Sequence, residues 1–298
     1  MTGNLLDGLD QATLGAVIAL VAALFFALSA HVQNMGAKTT STQVGTLVLI
    51  GTQAAIYSIA ALFIVKWDYW TSGAVILFAA AGMLRPTLSI ALWIEGIKRL
   101  GPTLNAALTS SGPVFAAIFG ILILGETLTG PIAAGIALVV AGVLVPTLMT
   151  RGIMASFPAW AVLLPLGASA LRNVAHAITK VGFAEIASPL FAALVGSAVS
   201  LALVAGQFLI RQQRVTGQLR DYRYFALSGM ITAVAVYLLN QALELGQVIT
   251  VAPLIASSPV FSALLGHFVF GRETLNWRTL LTIGFVVPGV VLIVRASG

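Results

Sequence analysis

Charge is what this sequence has least of. Only 8% of its 298 residues are Asp, Glu, Lys or Arg, while 59% are hydrophobic. A water-soluble domain carries about a quarter charged residues. So few charges cannot cover a water-facing surface, and a mean hydropathy of +1.03 makes lipid the main solvent. Cysteine is absent, which excludes disulfides, thiolate metal sites and cysteine nucleophiles together. It says little about compartment, because membrane spans need no covalent staples. Catalytic signatures are missing too: there is no His-Glu-x-x-His, no Gly-x-Ser-x-Gly and no Walker lysine motif. An intramembrane enzyme is therefore the remote alternative. No cofactor and no metal is expected, and without a nucleotide-binding motif any work done must draw on gradients. The net charge of +6 suits Lys and Arg at helix ends facing anionic head groups, and nucleic acid is not expected as a partner. The first basic residue, Lys38, follows the first apolar run. That run lacks the basic lead of a secretory signal and reads as a retained span.

What is present is a series of long apolar runs. A helix needs roughly 20 mostly apolar residues to cross the hydrocarbon core. Ten runs qualify: 11–35, 43–65, 72–95, 102–124, 130–149, 158–180, 187–210, 222–244, 248–270 and 276–295. They are too long for membrane strands and lack strict alternation. The breaks between them are short, and the longest, Arg211–Arg223, is too short and too charged to form a domain. The expected class is an all-α polytopic membrane protein forming one unit.

The chain also repeats itself. "SSGPVFAAIFG", from Ser110, is answered by "SSPVFSALLG", from Ser257. Pro113 and Pro259, Phe115 and Phe261, Gly120 and Gly266, Gly125 and Gly271, and Gly36 and Gly182 are all 146 residues apart. Ten spans in two repeats give five each, residues 1–149 and 150–298. Five is odd, so the second repeat enters the membrane from the opposite side. Inverted repeats around a midplane site are a common transporter design. Pro113 and Pro259 fall near mid-span, where each removes one N–H and frees a carbonyl four residues earlier, at Thr109 and Ile255. They read as a pair of hinges, or as two kinked packing helices.

With Pro-Val-Phe-x-Ala in spans four and nine, Gly125–Leu128 and Gly271–Leu275 after them, and the glycine-rich closing spans with Gly135, Gly142, Gly284 and Gly289, the chain resembles the drug/metabolite transporter superfamily of EamA type. The resemblance covers nearly the whole length. It implies ten spans in two five-helix repeats and export of small metabolites, often amino acids and sometimes aromatic ones. It also implies a multi-pass protein of a bacterial cell (inner) membrane. A passive channel or facilitator remains the alternative function, and monomer and homodimer are both open. The family pattern implies cytoplasmic termini. The charges point the other way: the side holding both termini has Lys66, Lys180 and Arg295, and the opposite side has ten Lys and Arg. By the positive-inside rule the termini are outside, unless the span count is off by one near an end.

Ionisable groups within spans are costly and usually face an interior. Arg172 and Arg85 stand out, with no acidic residue at comparable depth. Arg172, with His176 one turn along, is the first candidate for holding a substrate carboxylate, and Arg85 is the second. Otherwise each arginine bonds backbone carbonyls or snorkels to an interface. Helical spacing puts Ser89 and Trp93 on the face of Arg85, and Lys180 on that of Arg172 and His176. It also groups Asn105 with Thr109, Tyr237 with Gln241 and Glu244, and Ser29 with Gln33 near His31. Such stripes line a central cavity or bond helices together. Trp93, Phe26 and Tyr237 are placed to flank an apolar side chain. That favours an amphipathic amino acid over an inorganic anion or a sugar phosphate. His31, His176 and His267 are more often structural than proton carriers. Glu126 and Glu273 are expected to complement exposed helix N–H groups.

Overall fold

A computed structural model gives the chain over residues 10–36, 42–149, 158–210, 220, 222–271 and 276–297. Arg272–Leu275, Lys38, Arg151 and most of the Arg211–Arg223 run lie outside the described residues. The first half holds α1 (Gln11–Gly36), α2 (Thr42–Ile64), α3 (Ala74–Gly82), α4 (Ser89–Thr109), α5 (Gly112–Leu124) and α6 (Gly130–Leu148). The second holds α7 (Leu163–Phe183), α8 (Pro189–Ile210), α9 (Tyr222–Leu245), α10 (Val248–Ile255), α11 (Ser258–Phe268) and α12 (Trp277–Ser297).

Among the described residues nine helical stretches are long and apolar enough to cross a membrane, yet the chain crosses ten times. The difference lies in Ala74–Thr109, counted as one stretch of 36 residues. Straight, it would be about 54 Å long, far beyond a core of about 30 Å. It turns back at Gly101, where φ is 77° and ψ 163°, a conformation open to glycine and strained for other residues. Pro102 then starts a new helical segment. Residues 102–109 therefore join α5 in span four.

Three spans are broken at mid-depth. Span three leaves the helical path at Arg85 (φ −129°, ψ 121°), within a π-helical stretch, Met83–Leu88, that joins α3 to α4. Spans four and nine break in the same way as each other. Ser111 N–H donates to Leu108 O and Val114 N–H to Ser111 O, in bonds that skip one residue fewer than an α-helix requires. Ser257 N–H to Leu254 O and Val260 N–H to Ser257 O repeat this 146 residues later. The seryl hydroxyls of Ser111 and Ser257 close back on the same carbonyls, at 2.7 and 2.6 Å. Pro113 and Pro259 sit in the first turn of α5 and α11, where a missing N–H is harmless. The expected proline kink is thus a full break that ends just before each proline.

The halves pack as a two-fold pair. α1 lies along α9, and its counterpart α7 lies along α3 and α4; α2 meets α8, and α6 meets α12. With five crossings in each half, the second is inverted relative to the first. Small residues make these contacts possible. On α1, Ala16, Ala19, Ala22, Ala23 and Ala27 are all buried. Gly135 of α6 and Gly289 of α12 leave so little room that a methyl group on either would come within 2.8 Å of the other's carbonyl oxygen. Large apolar side chains such as Leu62, Phe63, Leu122 and Ile210 point outward and are more than three-quarters exposed, as a lipid-facing surface requires.

Candidate functional site

A central cavity of about 520 Å³ lies between the halves, a volume suited to a small metabolite. The mid-depth breaks border it. Ser110, Gly112 and Pro113 of span four line it, as do Ile255, Ala256 and Ser258 of span nine. The Thr109 carbonyl, left over by the break, accepts a hydrogen bond from the Ser169 hydroxyl of α7 at 3.1 Å. An aromatic cluster lies where α3 and α8 begin, and its Phe78 lines the cavity. Phe78 and Phe191 are buried and meet edge to face, and Phe183, Tyr69 and Trp70 pack around them.

Of the candidates read from sequence, Arg172, His176, Arg85, Ser89, Thr109, Ser29, Gln33 and Phe26 all line this one cavity, together with the hinge candidate Pro113. Arg85, from the first half, shares the cavity lining with Arg172 and His176 of the second. Among the described residues neither arginine has an ion pair, and no Asp or Glu lines the cavity. Arg85 Nη1 and His176 Nδ1 are buried without a hydrogen-bond partner. Ser29 is held by hydroxyl contacts to Ser228 at 2.7 Å and Thr232 at 2.6 Å.

Five candidates are elsewhere. Trp93 and Tyr237 are more than a third exposed and do not line the cavity. Gln241 donates to the Glu244 carboxylate at 3.2 Å near the end of α9. The cavity face of α9 is Thr232, Val236, Leu239 and Asn240, and one residue is a turn of about 100° around a helix. Asn105 is fully buried against Gly96, outside the cavity. Pro259 borders a separate hollow with Pro102, Pro146 and Asn276.

Sequence reading missed Gln53, Thr46, Asn173, Thr179, Ser197, Ser200 and Asn240, all of which line the cavity. Asn173 and Thr179 share the α7 face of Arg172 and His176, and that spacing was available in the sequence.

Other ionisable groups have structural partners. His31 Nε2 contacts the Ser262 carbonyl at 2.8 Å, and its ring stacks on Phe270. His267 meets Phe268 edge to face. Glu185 accepts from Ala74 N–H at 2.9 Å and caps α3. Glu95 pairs with Lys98 and Arg99. Lys180 Nζ donates to the Glu244 carbonyl at 2.9 Å. Glu126 complements exposed helix N–H groups, though not those of the helix that follows it. Its two oxygens instead accept from Val248 N–H at 2.7 Å and Ile249 N–H at 2.8 Å, capping α10 of the other half. Burial of this carboxyl pushes it above its usual range, against the two hydrogen bonds and the nearby Lys180.

The EamA-like transporter family model matches twice, over residues 13–148 and 159–295. The chain belongs to the EamA-like transporter family. The first EamA match takes in broken spans three and four, and the second takes in span nine. An uncharacterized transporter encoded in the cobO 3′ region of Sinorhizobium sp. is 32% identical over 144 residues, which is 46% of this chain and 96% of that protein. A solved crystal structure superposes with a TM-score of 0.78 at 17% identity, covering 94% of this chain and 95% of the other, and it shares the EamA chain's fold. This is a multi-pass membrane transporter with a small-molecule substrate.

Proposed function

We propose that this EamA transporter is a secondary carrier that exports small carboxylate-bearing metabolites, amino acids among them, by alternating access between its two five-helix halves, 1–149 and 150–298. The observation that carries this reading is Arg172, a cationic group lining the central cavity without an acidic partner among the described residues. A guanidinium in such a place suits a carboxylate, which it meets through two parallel hydrogen bonds that a lysine cannot reproduce. His176, one turn along and also in the cavity, adds a second polar contact.

The test is ligand binding to purified Arg172→Gln and Arg172→Lys proteins that run as monodisperse species. Loss of a charge-assisted bond should weaken carboxylate ligands by about 1.5–3 kcal/mol, while their amide analogues change much less. Equal weakening of acid and amide would assign the arginine to the helix bundle and refute the contact. Counterflow in proteoliposomes separates a carrier from a passive channel, since only a carrier accumulates labelled substrate against an external pool.

A further inference from the structure

We propose that the cargo is a small organic dianion, with its negative charge shared between Arg85 and Arg172. The proposal rests on the central cavity being the transport site, as argued above, and narrows the class of substrate.

Arg85 comes from the first half and Arg172 from the second, and both line the same cavity of about 520 Å³. Two like charges at one cavity repel, and none of the described lining residues is acidic. Charges taken out of water without partners are held at considerable cost. A monoanion or a zwitterion leaves at least one of these two unbalanced, whereas a dianion neutralises both. The unpartnered Arg85 Nη1 is a donor still waiting for an acceptor.

The fold does not require this charge. At the repeat offset of 146 residues, Arg172 corresponds to Phe26 and His176 to Ala30. All four side chains line the cavity. One half therefore fills these positions with an uncharged pair, and the same scaffold closes around it. The apolar slot expected for an amphipathic amino acid is also weaker than its sequence suggested, because Trp93 and Tyr237 lie outside the cavity. Asn240 Oδ1, buried and unpartnered, offers an acceptor for a hydroxyl or ammonium carried between the anionic groups.

The experiment measures binding and competitive counterflow with wild-type protein first, which avoids any folding question. The probes are succinate, succinate monoamide, glycerol 3-phosphate and leucine. A preference of tenfold or more for succinate or glycerol 3-phosphate over the monoamide and leucine is the expected result, and which of the two wins distinguishes a dicarboxylate from a phosphate monoester. Arg85→Gln and Arg172→Gln, checked for monodispersity, should each weaken the preferred dianion roughly ten- to a hundredfold and abolish its advantage over the monoamide. Equal binding of succinate, glycerol 3-phosphate and the monoamide by the wild type overturns the proposal. So does dianion binding that Arg85→Gln leaves unchanged. If the monoamide or leucine binds as well as the dianions and depends on Arg172, the carboxylate reading stands and only the dianion falls. If no probe binds in an Arg172-dependent way, both readings fall.

Discussion

At the crossing of α3 and α8, two glycines face one another with opposite consequences. A methyl group on Gly82 would lie 2.5 Å from Gly196 O and 2.6 Å from Gly196 Cα. Both obstacles are backbone, so no side chain can swing aside and the helices must separate by at least about half an ångström. Overpacking of this kind costs roughly 1–3 kcal/mol. Separation also stretches the bond from the Ser200 hydroxyl to Gly82 O, now 2.8 Å, and such interhelical bonds average about 0.6 kcal/mol. A methyl group on Gly196 instead finds nothing nearer than 3.7 Å, which is ordinary contact. Each change to alanine gains up to about 1 kcal/mol of helix propensity. That gain is shared and drops out of the comparison. Gly82→Ala should therefore be less stable than Gly196→Ala by about 1.6–3.6 kcal/mol. The assay is unfolding in detergent micelles, by heat or added denaturant, with folded protein counted by size-exclusion chromatography. Equal stabilities, or Gly196→Ala as the weaker variant, would refute the backbone-contact reasoning.

Pro113→Ala and Pro259→Ala should reduce counterflow more than folded yield, because each proline sits in a first helical turn where its removal costs little; full flux in both would leave the prolines as packing features. Glu126→Ala should cost about 0.5–2 kcal/mol, as other lost caps do. The raised carboxyl of Glu126 binds its proton more tightly in this arrangement than when exposed, so its contribution is present below the ordinary carboxylate pKa and is lost as pH rises through the raised value. Glu126→Gln should flatten that slope in a thermal-stability series, and an unchanged slope would assign it to another group. Reporter fusions at Gly298 and within 212–220 should place the terminus outside and the basic loop inside, given three basic residues against ten; the opposite result would defeat the charge reasoning.

The repeat was legible because it is written residue by residue: Ser111 and Ser257, Pro113 and Pro259, and Gly125 and Gly271 keep one offset, and the backbone bonds at the two breaks keep it as well. The turn at Gly101-Pro102 was legible for a local reason, the pairing of a residue free to adopt positive φ with one that cannot continue a helix. The break at Arg85 was not, since an arginine-proline pair inside an apolar run shows no other sign of a widened turn. Helical spacing showed which side chains share a face, but not which face meets the cavity. Tyr237 and Gln241 therefore fell one residue from the lining positions Val236 and Asn240. The capping of α10 by Glu126 joins residues 122 and 123 positions apart, and no local pattern contains it.

Two kinds of position emerge from comparing the halves. At 111 and 257, 113 and 259, and 125 and 271, the same residue stands in both, and each pair shapes a break or a turn of the backbone. Spans four and nine bend alike, and identity at these positions goes with that shared bend; the break at Arg85 in span three has no counterpart in α9. At 26 and 172, 30 and 176, and 33 and 179, the residues differ: Phe against Arg, Ala against His, Gln against Thr. All six face the same cavity. A cargo need not share the protein's two-fold symmetry, and the unmatched positions are where the two halves can offer it different contacts. Substitutions at the matched positions are therefore expected to change the rate for every cargo alike. Substitutions at the unmatched ones are expected to change which cargo binds.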